Sequence, residues 1–257
     1  MNYQPEDCFI GSPKRGIRLL EAVTVCVNYA DILAHTLPSM LLAVDRLVVV
    51  TDTRDEATAR LCEAYDVEFV RTDAFYDDGA TFNKARGINA GLARLSQSDW
   101  VLHIDSDIYL PPRTRMILNS IYLDPFGIHG VDRMNCFGLR NWIRYISAPP
   151  SMHQGYYLVH ANVFPMGSRV CHYNADGYFP IGFFQLWNPR RSGIIRYPEN
   201  WVGADHTDVV FSKSFPIESR RLIPDFYVIH LDSQKAEMGV NWMGRKTRPF
   251  TIDEKPC

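Results

Sequence analysis

Short apolar segments alternate strictly with helical segments over the first 112 residues, and this alternation constrains the fold more than any other feature. A helix is predicted from about Asp31, and two more follow at residues 55–65 and 81–95, where apolar residues recur at helical spacing. The strands predicted between them are residues 21–28, 46–51, 67–71 and 100–104. Strands that alternate with helices predict an α/β fold with an open, twisted and mostly parallel sheet.

The sequence changes character after Pro112, because aromatic residues become frequent and the regular alternation ends. The short strands predicted in this half are residues 126–131, 156–160, 183–187 and 226–231, and an irregular tail is expected from residue 235. The chain has no repeat, low-complexity tract or linker. We therefore predict a single domain over residues 1–257, with a first half at about 20–112 and an elaborated, aromatic-rich half at about 113–257.

Composition argues against several classes of protein. The formal net charge is −2, so there is no overall basic field for holding nucleic acid, although basic residues cluster at 190–191 and 245–248. The six cysteines form no C-x-x-C pair, which argues against a zinc ribbon and for reduced thiols. The N-terminus has no apolar signal core and no apolar run could span a bilayer, so we expect a cytoplasmic protein with no membrane partner.

Polar residues follow three of the predicted strands. Asn28 ends the first strand, Asp52 follows the second, and two aspartates follow the fourth in the stretch DWVLHIDSDIYLPP. Ligands of such sheets bind beyond the carboxyl ends of the strands, so these residues are expected along one edge. In an extended chain Asp105 and Asp107 point to the same side, where two carboxylates repel unless a cation such as Mg²⁺ or Mn²⁺ lies beside them.

The D-S-D sequence alone is compatible with an acidic turn, a metal site or a phosphorylated nucleophile. Haloacid-dehalogenase-like phosphatases use the first aspartate, which would be Asp105, as the nucleophile. They carry the motif on the first strand, with Thr or Val where this chain has Tyr109, and here three predicted strands come before it. Metal-dependent glycosyltransferases instead place D-x-D after a complete nucleotide-binding half, which is the order found here.

Two neighbouring segments carry a more specific pattern: FNKARGINAGL at residues 82–92 and LHIDSDIYLPP at residues 102–112. Together they resemble the metal-dependent GT-A glycosyltransferases, closest to the β-1,4-galactosyltransferase type and more broadly to family-2-like enzymes. The resemblance is loose over residues 23–231 and sharp only over these two segments. It implies a GT-A, Rossmann-like fold with a nucleotide-sugar half followed by an acceptor half.

The resemblance also implies roles for individual residues in the first half. Lys84 matches the family's contact to the donor diphosphate, while Asn28 and Asp52 match contacts to the nucleoside. The nucleotide-sugar-binding residues implied are Asn28, Asp52, Lys84, Asn89 and Asp105. Taken alone, Lys84 is also typical of a solvated helix residue, and Asn89 of a packing or capping residue.

A third segment, YPENWVGADHTDVV at residues 197–210, resembles the part of the family that supplies the catalytic base. The match leaves three candidates open, which are Asp205, His206 and Asp208. Either a histidine or an aspartate can accept a hydroxyl proton. Asp205 and Asp208 are also typical of the first turn of a helix.

A fourth segment, FYVIHLD at residues 226–232, ends a short predicted strand in a histidine. His230 matches the C-terminal histidine that completes the family's metal site, whereas His103 alternates into the core-facing side of its strand. The resemblance therefore implies Asp105, Asp107 and His230 as ligands of Mn²⁺, or of Mg²⁺.

The function implied is that of a hexosyltransferase-like enzyme, which moves a sugar from a nucleotide diphosphate donor, UDP-sugar by analogy, to an acceptor hydroxyl with inversion. The acceptor is a glycan, a small molecule, a protein or a modified DNA base, and the near-neutral charge does not favour DNA. Three alternatives remain: a phosphatase with Asp105 as nucleophile, a non-catalytic nucleotide-sugar binder, and a nucleotidyltransferase. The last is disfavoured because residues 23–33 contain no glycine-rich loop. The sequence predicts no oligomeric state.

Overall fold

The structure is a computed structural model, which describes residues 16–148, 167–169, 172–174, 177–200, 203–233 and 249–251. The strands of the large sheet are β1 (Leu20–Val25), β2 (Arg46–Thr51), β3 (Glu68–Arg71), β4 (Trp100–Ile104), β5 (Ile108–Tyr109), β6 (Ile128–Phe137), β7 (Gly167–Arg169), β10 (Phe184–Trp187) and β11 (Arg220–Asp232). A separate two-stranded ladder consists of β8 (His172–Asn174) and β9 (Gly177–Phe179).

The helices lie between these strands. They are α1 (Ala30–Ala43), α2 (Glu56–Ala64), α3 (Lys84–Leu92), α4 (Thr114–Ser120), α5 (Leu139–Ile146), α6 (Pro189–Ser192) and α7 (Thr207–Ser212), with 3₁₀ turns at Ala74–Gly79 and Ile217–Ser219. The α1 helix continues through Pro38. The predicted strand at 156–160 lies outside the described residues, as does all of the predicted tail except residues 249–251.

The large sheet has the order β3-β2-β1-β4-β10-β6-β11-β5, with β7 paired to the β6 strand. The first four strands are mutually parallel, β10 runs antiparallel between β4 and β6, and β6 is parallel to β11. This arrangement confirms the predicted α/β class and the mostly parallel sheet. The single-domain boundary stays a prediction.

Close packing explains the glycines in the FNKARGINAGL segment. A Cβ atom at Gly91 would overlap Val23 and would lie 2.7 Å from a methyl group of Val50. The α3 helix therefore packs so closely on the valine side chains of β1 and β2 that any larger residue at Gly91 would displace them. This packing fixes the start of α3, and with it Lys84, at the carboxyl edge of the sheet.

Candidate active site

A cavity of about 750 Å³ opens at the carboxyl ends of β1 and β4. Its volume is in the usual range for small-molecule sites. The predicted site residues that line it are Lys84, Asp105, Asp107, Asp205, His206, Asp208 and His230. The structure thus brings together, around one space, residues separated by more than a hundred positions in the sequence.

The D-S-D segment is a turn, and the expectation of an extended chain was wrong. Residues 105–107 lie between β4 and β5, and the amide of Ile108 donates to the Asp105 carbonyl at 3.2 Å. Buried Thr36 on α1 donates its hydroxyl to the Ser106 carbonyl at 2.6 Å. The Leu231 amide of β11 donates to the Asp107 carbonyl at 2.8 Å. Because the chain turns, the two carboxylates have different partners.

Asp105 is paired with Lys84. The Lys84 ammonium forms a hydrogen-bonded ion pair with the Asp105 carboxylate, and the two side chains are only 19% and 26% exposed. Burial opposes charge on both groups, but the opposite charge outweighs it. The pKa of Lys84 is therefore raised, and the pKa of Asp105 is lowered to about 2. Both groups are ionised at neutral pH.

Asp107 is paired instead with His230, whose Nε2 lies 3.1 Å from one carboxylate oxygen. The other ring nitrogen, Nδ1, lies 3.1 Å from the Asn135 side-chain oxygen. The second oxygen of Asp107 is buried and has no hydrogen-bond partner among the described residues. A buried carboxylate oxygen of this kind is a position that a cation can satisfy.

The three predicted metal ligands are not assembled as one set. In the described part of the chain, no group of three or more His, Cys, Asp or Glu side chains is arranged to hold a metal ion. Asp107 and His230 are in contact, whereas Asp105 is turned toward Lys84. The residues present therefore fit a two-ligand site whose other positions are open to substrate oxygens, as hard divalent cations commonly have.

The base candidates lie at the start of α7 and differ in their surroundings. Both oxygens of Asp208 accept backbone amides, from Gly182 at 2.7 Å and from Val209 at 2.8 Å. Asp205 and His206 are more exposed, and Nδ1 of His206 lies 3.3 Å from an Asp205 oxygen. His206 has a φ of +63°, a left-handed conformation that is uncommon for a non-glycine residue.

Two cavity residues were not assigned to the site from the sequence. His103 is buried, as its alternation in β4 predicts, and it also lines the cavity, with Nε2 3.9 Å from an Asp105 oxygen. Burial and the nearby Lys84 charge lower the pKa of His103 to about 3, so its ring is neutral. Arg133 on β6 is also buried and stacks 4.7 Å over the Phe183 ring. The sequence gives no clear signal for Arg133, because β6 also contains His129, Asp132 and Asn135 and does not read as an apolar strand.

Three predicted nucleotide-sugar residues are not among those lining the cavity. Asp52 is buried against Arg54, whose guanidinium donates at 2.8 and 3.0 Å and lowers the Asp52 pKa to about 2. The amide of Asn28 donates to Asp55 at 2.7 Å. Asn28 and Asp52 do follow β1 and β2 at the predicted edge of the sheet.

Asn89 has a structural setting instead. Its side chain accepts from the Tyr197 amide at 2.7 Å and donates to the Tyr197 carbonyl and to Glu199. These hydrogen bonds hold α3 against the segment that follows α6, which favours the packing alternative for Asn89.

Among the described residues, no helix has the length and apolar character needed to cross a membrane.

Comparison with protein-family models and with curated proteins finds no match. Similar solved structures include a mannosyltransferase from Pyrobaculum calidifontis in complex with GDP-Man and Mn²⁺, with 15% identity, a TM-score of 0.49, and coverage of 88% of this chain and 60% of that one. Another is glucosyl-3-phosphoglycerate synthase from Mycobacterium tuberculosis in complex with Mn²⁺, UDP-glucose and phosphoglyceric acid, with 14% identity, a TM-score of 0.47, and coverage of 86% and 75%. The nucleotide sugars, Mn²⁺ and phosphoglyceric acid named here are bound by those two proteins.

Proposed function

We propose that this protein is a metal-dependent glycosyltransferase, which moves a sugar from a nucleotide diphosphate donor, a UDP-sugar, to an acceptor hydroxyl. The observation that carries the proposal is the meeting of the Lys84–Asp105 ion pair and the Asp107–His230 pair in one cavity, beside the acidic start of α7. The helix of the FNKARGINAGL segment and the D-S-D turn thus border the same cavity, as the sequence resemblance implies.

Asp107 and His230 would hold the cation. Carboxylate and imidazole together suit Mn²⁺, and the buried second oxygen of Asp107 offers it a further contact. When bound, the cation supplies positive charge against the diphosphate as it leaves. The fold holds His230 on β11 and Asp107 on the turn before β5, with Nε2 of His230 3.1 Å from a carboxylate oxygen of Asp107.

Lys84 and Asp105 would bind the donor. Lys84 lies in the first turn of α3, where an ammonium can donate to phosphate oxygens. Asp105 is ionised, and its oxygens accept hydrogen bonds from sugar or ribose hydroxyls. Donor binding thus replaces the Lys84–Asp105 ion pair by contacts of Lys84 with the phosphates and of Asp105 with the sugar or ribose. Asn28 and Asp52, at the ends of β1 and β2, would border the nucleoside.

The base would be Asp205 or His206 rather than Asp208. Asp208 already accepts two backbone hydrogen bonds, which suit it to hold the Ile181–Gly182 segment against α7. Asp205 and His206 line the cavity with 38% and 63% of their side chains exposed, so an acceptor hydroxyl can approach them. The base accepts the proton of the acceptor hydroxyl while the hydroxyl oxygen attacks the anomeric carbon of the donor. The sugar–phosphate bond breaks and the nucleoside diphosphate leaves, in a single displacement with inversion.

A cytoplasmic location and the identity of the acceptor stay predictions, with DNA not favoured.

The test is a thermal-shift screen of UDP-glucose, UDP-galactose and GDP-mannose with and without Mn²⁺, followed by measurement of UDP or GDP release. A donor at about 100 times its Kd stabilises the folded state by roughly 2.7 kcal/mol, so a Mn²⁺-dependent rise in Tm is expected for one donor. Asp107→Asn should abolish that rise. The matched control is Asp225→Asn, an exposed aspartate on the β11 strand that carries His230, and it should preserve the rise.

Three results would count against the proposal. Mn²⁺-independent binding in the Asp107→Asn variant would remove the metal assignment. Donor binding without nucleotide release would favour the non-catalytic binder. Mg²⁺-dependent release of phosphate from simple esters, with beryllofluoride trapped on Asp105, would favour the phosphatase.

A further inference from the structure

Asn135 lies directly beside His230 although the two are 95 positions apart in the sequence. They are register partners in the parallel pair formed by β6 and β11, so their side chains project from the same face of the sheet. Both are nearly buried, at 5% and 6% exposure. The Asn135 oxygen faces Nδ1 of the ring at 3.1 Å, on the side opposite Asp107.

Both ring nitrogens of His230 face oxygen atoms, but a neutral ring can donate a hydrogen bond to only one of them. A neutral imidazole carries one N–H and one lone pair. If the hydrogen is on Nε2, it donates to Asp107, and the Asn135 amide must turn over so that its NH₂ group donates to the lone pair of Nδ1. If the hydrogen is on Nδ1, it donates to Asn135 and the lone pair of Nε2 points toward Asp107. The observed Asn135 orientation, with its oxygen toward Nδ1, fits the second arrangement, in which His230 and Asp107 would be available to hold a divalent cation.

We propose that Asn135 is a positioning residue, which holds the ring plane of His230 and its Nδ1–H tautomer so that Nε2 is available to a divalent cation. The inference deepens the proposed function and rests on it. Groups that orient a ligating histidine typically contribute 10- to 100-fold to metal affinity. Asn135 itself touches neither the cation nor the substrate.

The test measures Mn²⁺ binding without nucleotide sugar, from the electron paramagnetic resonance signal of free Mn²⁺. Asn135→Leu removes the acceptor but keeps the branched side-chain shape, and it should weaken binding by about 10- to 100-fold. Asn135→Asp keeps an acceptor oxygen in place and should restore affinity to within a few-fold of the wild type. Asn141→Leu is the matched control, because Asn141 of α5 donates to the Phe137 carbonyl at 2.7 Å, away from His230, and its loss should leave Mn²⁺ binding unchanged.

A measurement on the wild type keeps the inference testable if Asn135→Leu does not fold. Long-range ¹⁵N–¹H spectra with Mg²⁺, assigned by comparison with His230→Gln, should show His230 protonated at Nδ1. Protonation at Nε2, or full Mn²⁺ affinity in a folded Asn135→Leu variant, would overturn the inference. If Asp107→Asn and His230→Gln also keep full affinity, the proposed metal site itself fails; if they lose it while Asn135→Leu does not, only the role of Asn135 fails.

Discussion

The Lys84–Asp105 ion pair should make a measurable and pH-dependent contribution to stability. The pKa of Asp105 falls from an ordinary 3.8 to about 2, mainly because the Lys84 charge outweighs the effect of burial. At ~1.36 kcal/mol per pH unit, this difference corresponds to about 2 kcal/mol of folding free energy. A carboxyl group whose pKa is lowered by folding contributes this stability above pH ~4 and loses it as the pH falls toward 2.

Replacing Lys84 by Met should therefore destabilise the protein by about 2 kcal/mol or more at pH 7, since it leaves a mostly buried carboxylate without its partner. The loss should be smaller at pH 2.5, because Asp105 of the variant is then protonated and leaves no buried unpaired charge, while the wild type has lost part of its ion-pair stabilisation. Urea denaturation at the two pH values measures it. The double variant Lys84→Met/Asp105→Asn should recover part of the loss at pH 7, because no uncompensated charge remains.

The control is Lys213→Met, another lysine of the cavity wall, whose ammonium lies 5.8 Å from the Phe179 ring. Its free energy of unfolding should change by no more than ~0.5 kcal/mol, the usual range for surface substitutions. The reasoning is refuted if Lys84→Met costs the same at pH 7 and pH 2.5, or if the double variant is no more stable than the single one at pH 7.

Three further predictions concern residues around the site. Gly91→Ala should cost roughly 1–3 kcal/mol in urea denaturation, since its Cβ would overlap Val23. Burial lowers the His103 pKa to about 3, so the unfolded wild type binds a proton between pH 6.5 and 4 that the folded protein does not. The His103→Gln variant should therefore gain stability relative to the wild type as the pH falls from 6.5 toward 4. Equal changes in the free energy of unfolding at pH 7 and pH 4.5 would contradict this. Asn89→Leu should lower Tm but leave the donor KM of the remaining folded enzyme unchanged, whereas a selective rise in KM would return Asn89 to the donor site.

The first half of the fold was predictable because its strands are continuous apolar runs with polar ends. The predicted strands 46–51 and 100–104 agree with β2 and β4 to the residue. The helix predicted at 81–95 is shorter, because Asn83 caps it by accepting the Arg86 amide at 3.2 Å. Such caps and periodic patterns are local, and local signals are what a single sequence displays.

The site was only partly predictable, because its key contacts depend on strand register across distant segments. Nothing in the sequence around Asn135 indicates that it lies beside His230, since that contact follows from the pairing of β6 with β11. Alternation in β4 correctly predicts that His103 is buried, but not that its side of the strand also borders the cavity. Alternation distinguishes two faces of a strand and cannot distinguish a packed face from one that borders a cavity.

The turn at D-S-D changes what the two carboxylates can do. Had residues 105–107 been extended, Asp105 and Asp107 would share one cation and repel each other without it. The hydrogen bond from Thr36 to the Ser106 carbonyl and that from Leu231 to the Asp107 carbonyl hold the chain in a different shape. Each carboxylate then has its own partner, a lysine for Asp105 and a histidine for Asp107. The two carboxylates of the motif are thus not equivalent: Asp105 is charge-compensated by Lys84, whereas Asp107 keeps one buried oxygen without a hydrogen-bond partner among the described residues.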